Sequence, residues 1–243
     1  MKKWLSLLLI LAFVFANVGI ANATTDTFTS SGTWTAPAGV TSVDVEAWGA
    51  GASGGNGVVR KGGGGGAYSK KLNIVVTPGN TYSVVVGIGG ENTTANTPGS
   101  PGGDSYFVDV STVLAKGGQG DNGLGGDALS GIGDTKYSGG NGSVSNSTIW
   151  GGGGGAGDSA DGSDASDSVG AIGGSNYGGN GGSGTYSGGS PGSPGSTIGG
   201  GGGVAVSTCQ RGGTGARGEV RITYTIGTSA ESQNKKPRVI WIQ

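Results

Sequence analysis

The chain has 243 residues, a formal net charge of −1, 12% charged and 33% apolar residues, and no histidine. Near-neutral charge excludes a basic face for nucleic acid or anionic lipid, and the missing histidine removes Ser-His-Asp and Cys-His nucleophilic systems along with the commonest metal ligand. A single cysteine, Cys209, excludes an intramolecular disulfide, so stability must come from backbone pairing and packing.

The chain opens on Met1-Lys2-Lys3, an apolar run from Trp4 to Val18, and the small-x-small pattern Ala21-Asn22-Ala23. That order is an export signal over residues 1–23, with the mature chain starting near Thr24. The run is shorter than the roughly 20 apolar residues of a membrane span, and no second one follows, so no span is expected in the mature chain. The expected location is secreted, extracellular or on the cell surface.

Next comes a Ser/Thr-rich stretch carrying Phe28 and Trp34, broken by Pro37-Ala38-Gly39. Val40 to Trp48 then alternates, with Val43, Val45 and Ala47 on one face and Ser42, Asp44 and Glu46 on the other, which is the pattern of a half-buried strand. Ala67 to Val76 and Thr81 to Ile88 form two more strands, and the turn residues Thr77-Pro78-Gly79-Asn80 between them predict a hairpin. Ser105 to Leu114 reads as a further strand, and Gly218 to Ile226 as the last, with Val220, Ile222, Tyr224 and Ile226 opposite Arg221, Thr223 and Thr225.

All but four of the 60 glycines (Gly19, Gly32, Gly39 and Gly227) lie between residues 49 and 218. Collagen is excluded because the glycine period breaks constantly and there are only 7 prolines. Disorder is disfavoured by the low charge and by the clustering of apolar residues into strand-like runs. Glycine instead recurs at spacing three in short runs: Gly117, Gly120, Gly123, Gly126; Gly151, Gly154, Gly157; Gly189, Gly192, Gly195; and Gly212, Gly215, Gly218. Three residues per turn is the period of a polyproline-II-type helix, which has no internal hydrogen bonds. Side-by-side packing of such helices, with glycine at each contact, lets neighbours satisfy one another's N–H and C=O groups.

The expected fold is therefore all-β: a jelly-roll-like β-sandwich with an inserted bundle of polyglycine-II helices and almost no α-helix outside the signal. The glycine-rich β domain spans 24–226, with 24–116 and 216–226 mainly strands and 117–215 mainly polyglycine-II and loops. Residues 227–243 are a polar linker and tail, containing the basic residues Lys235, Lys236 and Arg238 and ending in the apolar Val239 to Ile242.

The segments Thr27 to Val40, Val43 to Gly51, Gly62 to Tyr68 and Gly215 to Val220 resemble the glycine-rich domains of bacterial exported proteins and phage tail-fibre adhesins, over about residues 26–226. The resemblance implies a β-sandwich with stacked polyglycine-II helices and a role in surface structure or recognition. It brings no catalytic residues. The signal peptide and the lack of a trimeric stalk favour an exported bacterial protein over a virion component.

Tyr137, Trp150, Tyr177 and Tyr186 stand in glycine and serine surroundings and are the candidate ligand-binding residues, because such rings stack on sugars and anchor interfaces. Asp158, Asp161, Asp164 and Asp167 recur every third residue, which on a threefold helix aligns four carboxylates that could attract Ca²⁺. Their axial separation of about 9 Å is too wide for neighbours to share one ion, so no metal and no cofactor is expected. The expected function is a non-enzymatic, secreted adhesion or recognition module whose partner is a cell-surface glycan or protein. A self-assembling matrix protein is the alternative, and ice binding a third that the irregular glycine spacing disfavours.

Overall fold

The computed structural model describes residues 22–57, 61–91, 97–143, 150–166, 168–185, 190–205 and 211–226. Residues 1–21 of the export signal, the whole tail 227–243, Tyr186, Gly189 and Asp167 lie outside these residues, whereas Asn22 and Ala23, placed at the end of the signal, are already paired in the first strand. Among the described residues there is no α-helix and there are nine strands: β1 (Asn22–Phe28), β2 (Gly32–Thr35), β3 (Ser42–Trp48), β4 (Tyr68–Val75), β5 (Thr81–Val85), β6 (Ser105–Phe107), β7 (Val113–Ala115), β8 (Thr135–Tyr137) and β9 (Glu219–Ile226). They form two antiparallel sheets, β1-β9-β3-β4-β8 and β2-β5-β6-β7.

The alternation predicted for β3 and β9 sets the core. Val43, Val45, Ala47, Val220 and Ile222 point inward, where they meet Trp34, Val84, Phe107 and Val113 of the second sheet. Asp26 ties the two sheets together: its Oδ2 accepts hydrogen bonds from Trp34 Nε1 at 2.8 Å and from the Tyr224 hydroxyl at 3.0 Å. Burial first, and then this carboxylate, push the Tyr224 hydroxyl pKa up, so the phenol remains a donor. Asp26→Ala should cost about 2 kcal/mol, mostly from stranding two donors on well-buried rings, and is read as a lowered urea midpoint at unchanged slope.

Two strand expectations are corrected. The turn at Thr77–Asn80 forms, with Asn80 N donating to Thr77 O and Gly79 in the left-handed region at φ 81°. It is not a hairpin, because β4 pairs with β3 and β8 while β5 pairs with β2 and β6, so the turn arches from one sheet to the other. Period-2 alternation specifies which face of a strand is buried but not which strand lies beside it. The segment Ser105–Leu114 is likewise not one strand but the hairpin β6–β7. Asp109 Oδ1 accepts from the backbone N–H groups of Ser111 and Thr112, which closes the turn. The Ser111 hydroxyl is the largest of the bonds that hold the Asp109 carboxyl below its ordinary pKa.

The bundle of threefold glycine helices forms as expected, and its hydrogen bonds display the period directly. Along 49–57, the N–H groups of Gly49, Ala52 and Gly55 donate to Ala67, Gly64 and Lys61. Those of Ala50, Ser53 and Asn56 donate to Gly103, Ser100 and Thr97, and those of Gly51 and Gly54 to Ala216 and Gly213. Donors three apart thus serve one neighbour, which itself steps by three, as a helix with three residues per turn requires. Segment 151–157 repeats the scheme: Gly152 and Gly155 donate to Gly182 and Gly179, and Gly153 and Ala156 to Gly63 and Gly66.

The spacing-three runs mark the contacts. A β-carbon on Gly151, Gly154 or Gly157 would stand 2.2, 2.1 or 1.8 Å from the carbonyl oxygens of Val169, Ile172 and Ser175, three steps along one neighbour. Gly212, Gly215 and Gly218 face Gly54, Gly51 and Trp48 in the same way. Gly192 and Gly195 face Gly203 and Gly200. The run from Gly117 to Gly126 is shorter than predicted. Gly117 and Gly120 lie against Gly102 and Gly99, but Gly123 takes φ 71° and Gln119 N bonds Leu124 O, turning the chain. The bundle also reaches beyond 117–215, since 49–57, 61–67 and 97–103 are among its helices. It therefore grows straight out of the ends of β3 and β9.

Candidate functional site

The outer face of the five-stranded sheet is ordered in rows set by strand register. Nearest the bundle, Glu219, Trp48, Tyr68 and Tyr137 stand side by side across β9, β3, β4 and β8. Trp48 and Tyr68 rings lie 4.9 Å apart, and Tyr68 and Tyr137 stack at 6.1 Å. Ala156 and Ile198 of the bundle cover this row, forming a second apolar core outside the sandwich. The next row, Thr27, Arg221, Glu46 and Lys70, crosses β1, β9, β3 and β4, and Thr25 sits opposite Thr223 beyond it. Here the bundle's cover ends.

At that edge two bends overhang the sheet, one carrying Asp158 and the other Asn176 and Tyr177. Asn176 adopts φ 68°, a left-handed conformation that asparagine tolerates, and its Nδ2 donates to Asp158 Oδ1 at 2.7 Å, locking the bends together. Floor and overhang enclose an open cleft of about 460 Å³ lined by Thr25, Thr27, Glu46, Asp158, Tyr177, Arg221 and Thr223.

Arg221 organises it. Its guanidinium lies 3.8 Å from the centre of the Tyr177 ring and 4.7 Å from that of Trp48, in contact with both. Nη2 and Nε contact Glu219 Oε1 at 2.7 and 2.8 Å, and Arg217 reaches Oε2 of the same carboxylate at 3.2 Å. Glu219 is buried. Glu46 Oε1 accepts from the Tyr68 hydroxyl at 2.7 Å and lies 3.6 Å from Lys70 Nζ. Burial, followed by the bond to Glu46, raises the Tyr68 hydroxyl pKa well above the usual phenol range, so Tyr68 stays a proton donor to that carboxylate.

Among the candidate aromatics, the structure brings Tyr137 and Tyr177 into one aromatic row through Tyr68 and Trp48, the latter meeting Tyr177 edge-on at 5.8 Å. Tyr177 is 46% exposed. Trp150, expected to be available to a ligand, is instead buried at the head of helix 150–157, where its carbonyl accepts from Val204 N. Tyr186 lies outside the described residues. The aspartate series also finds another use. Asp161 and Asp164 accept N–H bonds from Ser138 and Asn141, themselves three residues apart, so the period is a ladder of caps on an outer glycine helix. Among the described residues no group of three His, Cys, Asp or Glu side chains could hold a metal ion.

Glu46 and Arg221 were legible only as outward positions on alternating strands, and Thr25 and Thr27 only as members of a Ser/Thr-rich stretch; nothing in their local sequence marks them as one site. The profile of the glycine-rich domain family matches residues 24–225. The chain belongs to the glycine-rich domain family. No curated protein matches it. The matched span of this glycine-rich domain begins in β1 and ends in β9, which pair with each other and close the larger sheet. The cleft is built on those closing strands.

Proposed function

We propose that this glycine-rich domain is an exported, non-enzymatic recognition module of the adhesive kind found in bacterial exported proteins and phage tail fibres. The observation that carries this reading is the open cleft on the closing strands, where an exposed aromatic ring, carboxylates and threonine hydroxyls converge on a floor fixed by strand register. Its carboxylates are engaged by fixed partners, Glu46 by Tyr68 and Lys70 and Asp158 by Asn176, which suits reading a ligand rather than moving protons. The cross-bonded glycine helices behind it supply a rigid mount at little side-chain volume, a property useful in an exposed surface protein that lacks disulfides.

Beads coated with the purified mature chain should be retained on bacterial or host cell surfaces, and soluble chain should compete them off. Retention no greater than that of beads carrying an unrelated glycine-rich protein overturns the reading. Self-assembly into a matrix is the second reading, favoured by the exposed Val169 and Ile172, three residues apart on an outer helix. It predicts mass that grows with concentration in sedimentation velocity.

A further inference from the structure

The cleft's chemistry narrows its occupant. One face of the Tyr177 ring is covered by the Arg221 guanidinium, and the residue, 46% exposed, lines the cleft. The Arg221 charge is compensated by Glu219 at 2.7 Å, so it does not offer an anion an unpaired cation. Glu46 is offset by Lys70 at 3.6 Å, but Asp158, whose bonded partner is the neutral Asn176 amide, adds a carboxylate to the lining that repels phosphate, sulfate and acidic sugars. What the lining does offer is acceptors from Glu46 and Asp158, the Thr27 hydroxyl, the remaining capacity of the Thr25 and Thr223 hydroxyls, which bond each other at 2.9 Å, and a flat ring. A volume of about 460 Å³ falls within the range of small-ligand sites, roughly 300–1,000 Å³, but a polar lining does not suit an apolar ligand.

We infer that this cleft binds a neutral saccharide, laid with its apolar C–H face on Tyr177 and its hydroxyls toward Glu46, Asp158 and the threonines. Arg221 is a positioning residue, holding the ring edge-on to Trp48 and out over the floor. The inference rests on the recognition reading above and names the ligand class of that same site. Sugar rings match this arrangement because each presents an apolar face beside a rim of hydroxyls, the pairing that a half-exposed tyrosine beside carboxylates complements.

The test is an array of neutral, sialylated and sulfated glycans probed with the purified mature chain, followed by titration of the strongest neutral binder. Tyr177→Ala should weaken that binding at least about tenfold, and Tyr177→Phe should largely preserve it. Thr27→Val, at an exposed position on the floor, should weaken it less. Because Tyr177 is half exposed, an unchanged thermal midpoint of Tyr177→Ala separates lost binding from lost fold. Binding confined to acidic glycans, binding indifferent to Tyr177→Ala, or no glycan binding while beads still attach to cells overturns the saccharide assignment and leaves the recognition reading standing. Beads that attach to no surface overturn the recognition reading itself.

Discussion

Gly65→Ala is expected to disrupt the bundle, while Gly32→Ala leaves the protein at least as stable as before. A β-carbon at Gly65 would lie 2.0 Å from the carbonyl oxygen of Gly154 and 2.4 Å from its carbon, far inside van der Waals contact. The obstacle is backbone, not a side chain that could swing away, and Gly154 is held by its own bonds to Ser163 and from Gly140. Relief requires helices 61–67 and 151–157 to separate, breaking the bonds that Gly153 and Ala156 donate to Gly63 and Gly66. The cost is about 3 kcal/mol or more, at the upper end of overpacking losses and a large share of the stability of an ordinary domain. Gly32, in β2, has nothing within 4 Å of its β-carbon position, so alanine there should be neutral or stabilise by up to about 1 kcal/mol through the unfolded state. Guanidinium denaturation of both variants is the measurement. Equal midpoints would mean that the glycine contacts are not packed as closely as described.

Glu219→Ala carries the second-largest expected loss, about 3 kcal/mol, because it removes the shared counter-charge of Arg221 and Arg217. The Glu219 side chain is 7% exposed and that of Arg221 17%, whereas Arg217 at 35% can turn to water, which keeps the loss near the lower end for a broken buried pair. Glu219→Gln retains an acceptor and should lose clearly less. The variant has a structural signature as well as an energetic one. Without Glu219, Arg221 is no longer held against Trp48 and Tyr177, so Trp48 fluorescence should change in the native state, before any unfolding. A stable Glu219→Ala protein with unchanged emission would show that the stack holds itself.

The extent to which the sequence anticipates this molecule differs from element to element. The β3 and β9 strands are legible because alternation at period two reports a buried face, and Val45, Ala47, Val220 and Ile222 are all fully buried. The glycine helices are legible for a similar reason: a residue that must have no side chain at every third position leaves a period in the text, and Gly212, Gly215 and Gly218 do lie against one neighbour. What fails is partnership. The Thr77–Asn80 turn has hairpin residues and yet spans two sheets, since the same inward faces of Ile74, Val76 and Val84 fill the core by either route.

The site divides along the same line. Tyr177 and Trp150 have nearly interchangeable glycine-rich surroundings in the sequence, but one overhangs a cleft and the other is buried in the bundle. That outcome depends on helices distant in the chain, such as 199–205 against 150–157, and no local pattern encodes it. By itself the amino-acid sequence determined the all-β class, the threefold glycine geometry and the lack of histidine chemistry, because each follows from periods or residue types carried in one stretch. Only the tertiary structure decided that Thr27, Arg221 and Glu46, from β1, β9 and β3, share one row under Tyr177. Strand register and helix stacking are long-range pairings, and their energies belong to no single segment.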